Sequence, residues 1–481
     1  MSDVIDKTVL ATAKAAHPRR PAWLTEARAM VVLATPLILT QLAQMAIGTT
    51  DLILLGRFSQ SALAAAAIGN TIFYLGWLAG GGPAAAVAPM IAQHLGARPR
   101  ARGGVRTSLR MGLWAVAITS AIMIPVMWSA EPILRALGQA PALAHMAGQF
   151  CFILAFGLPF AVGYQALRNF ATALGRPRAA MVVMIVTIAF NAVAGWILIF
   201  GHLGAPRLGI VGSGLATASS AVFSFLAMLA VVHVDPTLRA YRVTRRLHRP
   251  ARAKLAEVFR LGLPIGMTMT FEAMMFNAMT LLMGTFGTVS LAANQIALNV
   301  GSITFMVPLG IGMAATVRVG MAAGAGDIAG ARRSGLTAFG LATCFMLIVG
   351  TLIALESRPI AALYLRSGSA ADAAAIALAA LFLKCAAGFQ VFDGIQVVGA
   401  FSLRGLKDAR MPMILAGGAY WLVGAPLCVI LALSLHMRGL GIWIGFIVSL
   451  ATAATAMSVR FWMLTRPSQR PAFAPARPEL T

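Results

Sequence analysis

Three carboxylates stand inside long apolar stretches of the chain: Asp51, Glu272 and Asp393, out of 14 acidic residues in all. A charged group at the centre of a bilayer costs about 2.5–3.5 kcal/mol even on a lenient insertion scale, so such residues mark ion or substrate paths unless they are paired structural carboxyls. Glu272 has Thr268, Met269, Met275, Phe276 and Met279 as its helical neighbours. No basic residue is in reach on that helix, which makes Glu272 suited to exchanging a proton. The methionines are either an adaptable wall for apolar cations or ordinary packing. Asp393 has Phe389 and Gln390 one turn before it and Gln396 one turn after. A carboxylate beside an aromatic face suits a cation, and the two amides either add oxygen ligands for Na⁺ or hydrogen-bond the carboxyl. Asp51 closes a stripe of Gln41, Gln44, Gly48 and Asp51, spaced +3, +4 and +3 along one helical face. A polar stripe on an apolar helix must face protein or water. Asn191 is a lone amide farther on, and Ser213, Thr217 and Ser220 share a face. Small polar groups of this kind also serve as helix-packing glue.

No catalytic residues accompany them. GxxxxGK[ST], HExxH and GxSxG are missing, and the seven histidines are scattered over tails and loops. An enzyme and a nucleotide-driven pump therefore have no motif to stand on, and no cofactor is implied. Cys151, Cys344, Cys385 and Cys428 form no CxxC pair and read as small buried hydrophobes.

The elements that position these residues follow from hydropathy. Of 481 residues, 59% are hydrophobic and only 11% charged, where a soluble domain carries about 25% charged residues. Apolar windows predict twelve transmembrane helices at about 30–55, 67–95, 107–129, 147–168, 178–201, 209–233, 259–284, 292–320, 334–356, 380–403, 411–435 and 439–464. The net charge of +24 would suggest nucleic acid in a soluble protein. Here the cations alternate between loops instead, so no nucleic-acid partner is expected. One set of loops holds Arg98, Arg100, Arg102, Arg106 and Arg110, then Arg168, Arg176 and Arg178, the run from Arg239 to Arg260, Arg318, Arg332, Arg333, Arg404, Lys407 and Arg410, with both tails. The other set holds Arg57, Arg135, Arg207, Arg358, Arg366 and Arg438. By the positive-inside rule both termini are cytoplasmic. No cleavable signal sequence is expected at the N-terminus.

The two halves repeat. Aligning Pro36 with Pro264, an offset of 264 − 36 = 228, also aligns Gly56 with Gly284, Leu63 with Leu291, Ile68 with Ile296 and Gly96 with Gly324. Later the offset becomes 232, matching Met181 to Met413 and Leu208 to Leu440. Six helices separate equivalent positions, so the halves share one orientation and a pseudo-two-fold axis along the membrane normal. The expected layout is a 1–29 N-terminal tail, a 30–234 lobe, a 235–258 basic linker beside anionic lipid headgroups, a 259–464 lobe and a 465–481 tail. Alternating access by rocking of the lobes, within a single copy of the chain, is the expected mode.

The residues resemble those of the MATE (multidrug and toxic compound extrusion) family, in its NorM-like bacterial branch, from about Pro36 to Trp462. The carriers are Pro36, Gln44, Asp51 and Gly56 in the first span, GARPRAR and GAGDIAGARR after the second and eighth, and LRNFATALGRPR after the fourth. To these add FNAVAGWILIFG, LGIVGSGLAT, LPIGMTMTFE, ANQIALN, FDGIQVVGAFSLRGLKDARMP and GLGIWIG. The resemblance implies an all-α, twelve-helix exporter in the bacterial inner membrane that moves cationic amphipathic compounds outward against inward Na⁺ or H⁺. A dedicated metabolite exporter or a flippase for lipid-linked precursors are the alternatives of related architecture. It also implies coupling roles for Glu272, Asp393 and Asp51, with Asn191 and Thr217 grouped around Asp51 and Phe305 near the second-lobe cation site. Two departures stand out: Gly195 where some relatives carry a second acid, and Phe389 where many carry a tyrosine.

Overall fold

In a computed structural model of the protein, residues 22–98, 102–245, 248–364 and 370–466 are described. Most of both expected tails, and the loop cations Arg100 and Arg366, lie outside the described residues. The fold is all-helical and twelve-spanning. The long helices are α1 (Ala22–Phe58), α2 (Gln60–Ala97), α3 (Arg102–Trp128), α4 (Pro141–Ala173), α5 (Pro177–Phe200) and α6 (Ile210–Val234), followed by α7 (Arg252–Gly284), α8 (Thr288–Gly324), α9 (Ile328–Leu355), α10 (Ala370–Gly405), α11 (Arg410–Ser434) and α12 (Arg438–Leu464). Eleven of them are long and apolar enough to cross a membrane. The other, α7, is also long at 33 residues, but Thr268, Thr270, Glu272, Asn277 and Thr280 dilute its apolar character.

The helices outrun the apolar windows that predict them, and this moves several cations off the loops. Arg168 lies inside α4 and Arg404 inside α10, 4% and 6% exposed. Arg110 and Arg318 likewise sit within α3 and α8. Placing these four in loops is thus corrected: a charge near the end of an apolar stretch does not end the helix, because backbone hydrogen bonding continues through it. The same holds at the start of α1. Its first turns reach back to Ala22 because Glu26, 7% exposed, is gripped side-on by the Arg318 guanidinium and receives a hydrogen bond of 2.7 Å from Ser334.

Helix contacts divide the chain into two units. One is Leu39–Met267; the other joins the chain up to Ile38 with the chain from Thr268 onward. The α1 and α7 helices therefore change unit two and three residues after Pro36 and Pro264. A proline inside a helix deletes one backbone hydrogen bond and gives the helix a natural joint. In the second unit, Met30, Ala34 and Leu37 of α1 are buried with Ile311, Ala315 and Phe401.

Packing repeats with the sequence. A Cβ on Gly82 of α2 would strike the backbone of Gly262 and Gly266 in α7, all within the first unit. A Cβ on Gly310 of α8 would meet the Ile38 backbone nitrogen at 2.9 Å and its Cα at 3.1 Å, within the second. These are equivalent pairs, since 310 − 82 = 228 and 266 − 38 = 228. The connections repeat too. A short helix, Ala130–Ala136, separates α3 from α4, and another, Ser357–Tyr364, separates α9 from α10. Between α6 and α7 the chain is basic and mostly irregular. Asp235 caps a four-residue helix, Pro236–Arg239, by accepting from the backbone N–H groups of Thr237 and Leu238.

The close approach at Gly82 leaves no flexible side chain to yield. Gly82→Ala should therefore cost about 1–3 kcal/mol, the usual range for overpacking. Thermal unfolding of the detergent-solubilised protein would show this as a lowered midpoint, with a smaller drop for Gly48→Ala, where a Cβ meets nothing within 4 Å.

Candidate functional site

Each unit holds its own acidic centre. In the first, Asp51 on α1 is 7% exposed, and its Oδ2 accepts a hydrogen bond of 2.8 Å from the Thr217 hydroxyl of α6. Thr217 also reaches the Ser213 carbonyl at 3.0 Å, which fixes its rotamer. Asn191 of α5 is fully buried and stands close enough to Asp51 to interact with it, although its amide makes no well-formed hydrogen bond. Asp51 Oδ1 is buried without a partner as well. Three helices thus converge on one carboxylate with acceptor and donor capacity left over. Gly195, one turn after Asn191, lets α1 come close: a Cβ there would lie 2.8 Å from Leu54 Cδ1.

Gln44 belongs to a different group from Asp51. Its Oε1 lies 3.5 Å from Arg168 Nη1, and Gln41 Oε1 lies 2.6 Å from the same nitrogen. The polar stripe on α1 therefore has two uses, a carboxylate at one end and a pair of amides that hold a buried arginine at the other.

In the second unit, Asp393 of α10 is 5% exposed and its Oδ1 has no hydrogen-bond partner. Glu272 of α7 interacts electrostatically with it. An aromatic pair explains the meeting. Phe276, one turn after Glu272, packs edge-on against Phe389, one turn before Asp393, with centroids 5.8 Å apart. The α7 and α10 helices, an odd and an even span, run in opposite directions. One turn back on the first and one turn forward on the second then reach the same depth. Phe389 also packs edge-on against Trp443 and Phe446 of α12. The missing phenol at position 389 leaves this aromatic wall intact.

Several polar atoms around the carboxylates are buried and unpaired: Gln390 Nε2, Gln396 Oε1, Tyr420 OH and Trp443 Nε1. Gln390 accepts a hydrogen bond of 2.6 Å from Thr304 of α8, which orients its amide. Buried polar groups are ordinarily satisfied, so these unpaired atoms on the elements that carry the acids and the aromatic wall leave hydrogen-bonding capacity for a ligand, ion or water. Phe305 is adjacent to Thr304 but packs with the other cluster of this unit, against residues such as Leu37, Ile311 and Phe401.

Two functional features escape a reading of the sequence. Tyr420 interacts electrostatically with both carboxylates from a π-helical stretch of α11, Gly418–Gly424. Such widened turns are common at functional sites, but hydropathy carries no trace of them. The buried arginines, Arg168 and Arg404, are not repeat equivalents: the ends of α4 and α10 are 405 − 173 = 232 residues apart, which sets Arg404 against Thr172. Among the described residues, no group of three or more His, Cys, Asp or Glu is arranged to hold a metal ion.

Comparison with known proteins gives a consistent result. The MatE family model matches residues 36–197 and again 264–430, once per repeat. The chain is 43% identical to a "Probable multidrug resistance protein NorM" of Mesorhizobium japonicum over 440 residues, covering 91% of this chain and 94% of that one. It is 38% identical to a protein of the same description in Rhizobium meliloti, covering 92% and 95%. Among solved structures, the eukaryotic MATE transporter AtDTX14 superposes with a TM-score of 0.81 at 21% identity, covering 92% and 96%.

Because the Thr217 hydroxyl is the one well-formed hydrogen bond to Asp51, Thr217→Val should leave the carboxyl unsatisfied. The expected destabilisation is about 1–3 kcal/mol, with Thr217→Ser close to wild type. Unfolding midpoints of the three proteins in one detergent test this.

Proposed function

The chain belongs to the MatE family, and on that premise we propose that its two acidic centres couple inward movement of Na⁺ or H⁺ to outward movement of cationic amphipathic compounds. The protein is a multi-pass membrane transporter and not an enzyme, an exporter of the multidrug efflux class that its relatives' names describe. The bacterial relatives support the inner membrane as its location, and the positive-inside distribution of basic residues supports cytoplasmic termini. The observation that carries the coupling reading is the approach of Glu272 and Asp393 within an aromatic wall, with unpaired polar atoms about them.

The chemistry follows from the charges. Two carboxylates held away from water repel one another, and either a proton, a Na⁺ ion or an organic cation relieves that repulsion. Ligands that relieve the same strain compete, and competition is coupling: binding of one disfavours the other reciprocally. Aromatic faces and methionines accept apolar cations without demanding one shape. Asp51, with Thr217 and Asn191, supplies a second such point in the other unit. Each copy of the chain carries both centres, which supports function as a monomer within the lipid.

A flippase for lipid-linked precursors needs a cationic cavity for pyrophosphate. Arg168 and Arg404 show that the buried charges are not all acidic, but neither arginine belongs to a cationic cluster. Arg168 is held by two glutamines, and Arg404 interacts electrostatically with Glu272.

Uptake of a fluorescent organic cation into inverted proteoliposomes, under separate Na⁺ and H⁺ gradients, tests the reading. Wild type should follow one of the gradients, and Glu272→Gln and Asp393→Asn should each lower the driven rate at least tenfold. Gradient-independent transport by wild type, or normal transport by both variants, would remove the coupling assignment.

A further inference from the structure

Arg332 stands in the first turns of α9 with no carboxylate paired to it among the described residues. Other arginines at this end of the second unit are committed: Arg318 grips Glu26, and Arg460 pairs with Asp408 at 3.0 Å. What holds Arg332 is an aromatic ring, with its guanidinium carbon 3.7 Å from the centroid of Trp462 on α12. A cation over a ring uses the face of the guanidinium. Its N–H donors lie in the plane and point outward from the edge, so the contact fixes the group without using its hydrogen bonds. Arg332 is half-buried and Trp462 is 43% exposed. A tryptophan and an arginine near the ends of spans belong to the headgroup level of a bilayer.

A groove of about 280 Å³ runs from this pair along the helices. One wall is a single face of α9, formed by Arg332, Leu336, Phe339 and Thr343 at spacings of +4, +3 and +4. The opposite wall is a face of α12 with Ser458, Phe461 and Trp462, and Ile395 of α10 lines the groove between them. Phe461 is 1% exposed and packs against Phe339 with ring centroids 5.9 Å apart. Gly335 of α9 makes that packing possible, since a Cβ there would strike the Phe461 ring. All of these residues belong to the second unit. From Arg332 to Thr343 is 343 − 332 = 11 residues, about 16 Å along the axis. One leaflet's share of a hydrocarbon core about 30 Å thick has the same depth.

We propose that this groove binds an anionic phospholipid of the cytoplasmic leaflet, with the phosphate on the Arg332 guanidinium and one acyl chain along α9 and α12. The two parts of the site match the two parts of that ligand. A guanidinium with its in-plane donors free presents a fork to phosphate oxygens, and a mostly apolar slot one leaflet deep takes a hydrocarbon chain. The charge of Arg332 disfavours the cationic compounds of the proposed export. A free phosphate would leave the apolar length of the groove unused. The positive-inside distribution places Arg332 on the cytoplasmic side, where the leaflet carries a negative surface potential. The site is separate from the acidic centres and does not rest on their coupling role.

Native mass spectrometry of the purified, delipidated full chain, titrated with dioleoyl phosphatidylglycerol, reads the dissociation constant of the first lipid bound. Wild type should bind it more tightly than dioleoyl phosphatidylcholine. Arg332→Gln should weaken phosphatidylglycerol about fivefold, the effect of one basic residue beside anionic headgroups, and leave phosphatidylcholine unchanged. Arg410→Gln removes an exposed arginine at the same basic end and should change neither. Ser458→Phe fills the groove without altering its charge, and should weaken both lipids. Equal phosphatidylglycerol affinity in wild type and Arg332→Gln overturns the proposal, and so does an equal loss in Arg410→Gln, which marks diffuse attraction. Inorganic phosphate that displaces the lipid at comparable concentration makes the site one for a free anion and overturns it as well. Lipid that binds only after removal of residues 467–481 shows the chain's own tail to be the occupant, with the same consequence. Should Arg332→Gln fail to fold, Ser458→Phe decides alone, since unchanged phosphatidylglycerol affinity there leaves no acyl chain in the groove.

Discussion

The cost of holding charge away from water organises this molecule. Every charged group that the helices carry into the apolar region must find a partner, a hydrogen bond or a ligand. Glu26 finds Arg318 and Ser334, and in doing so ties the start of α1 to α8 and α9. Arg168 finds two glutamines one turn apart. Asp51 finds Thr217 for one oxygen and keeps the other free. Asp393 keeps an oxygen free as well. Glu26 and Arg168 are thus held by partners within the chain, whereas Asp51 and Asp393 each keep a buried oxygen free.

Duplication supplies the scaffold for that difference. The glycine crossings at Gly82 and Gly310 recur at one offset, and so do the prolines after which α1 and α7 change unit. The acids do not recur. Asp51 corresponds to Met279 and Glu272 to Gln44 at the same offset of 228. Packing constraints hold both copies to one backbone, because a Cβ at the crossings has nowhere to go. Side chains facing the interior are free of that constraint, so each unit carries a different acidic centre on an equivalent frame.

Much of this is legible in the sequence, for definable reasons. Twelve spans follow from apolar windows, and the repeat follows from Pro36 and Pro264. The three acids stand out because nothing else in their stretches is charged, and the grouping of Asp51 with Asn191 and Thr217 is visible through the family resemblance. What is not legible depends on where helices truly end and on what faces what. Arg168 and Arg404 read as loop residues because they border the apolar windows, yet both are inside helices and buried. Gln44 shares a face with Asp51, but one turn and three residues of separation are enough to give it to Arg168. Tyr420 lies on a widened turn that no periodicity announces. Phe305, one residue from Thr304, falls to the other side of α8, because neighbours on a helix diverge by about 100°.

That last geometry also explains why the second centre depends on three helices at once. On α10, Phe389, Asp393 and Gln396 lie close to one face, spaced +4 and +3, while Gln390 is turned toward Thr304 of α8. The α7 helix brings Glu272 and Phe276 to the same depth, and α11 adds Tyr420. No single helix could present two carboxylates, an amide and a phenol to one point, since its side chains diverge from the axis. Convergence needs separate helices held at fixed depth, and the Phe276–Phe389 contact is the packing that fixes α7 against α10. A cation bound at this centre would therefore be held by groups from several helices at once, and a change in its occupancy would be felt by all of them.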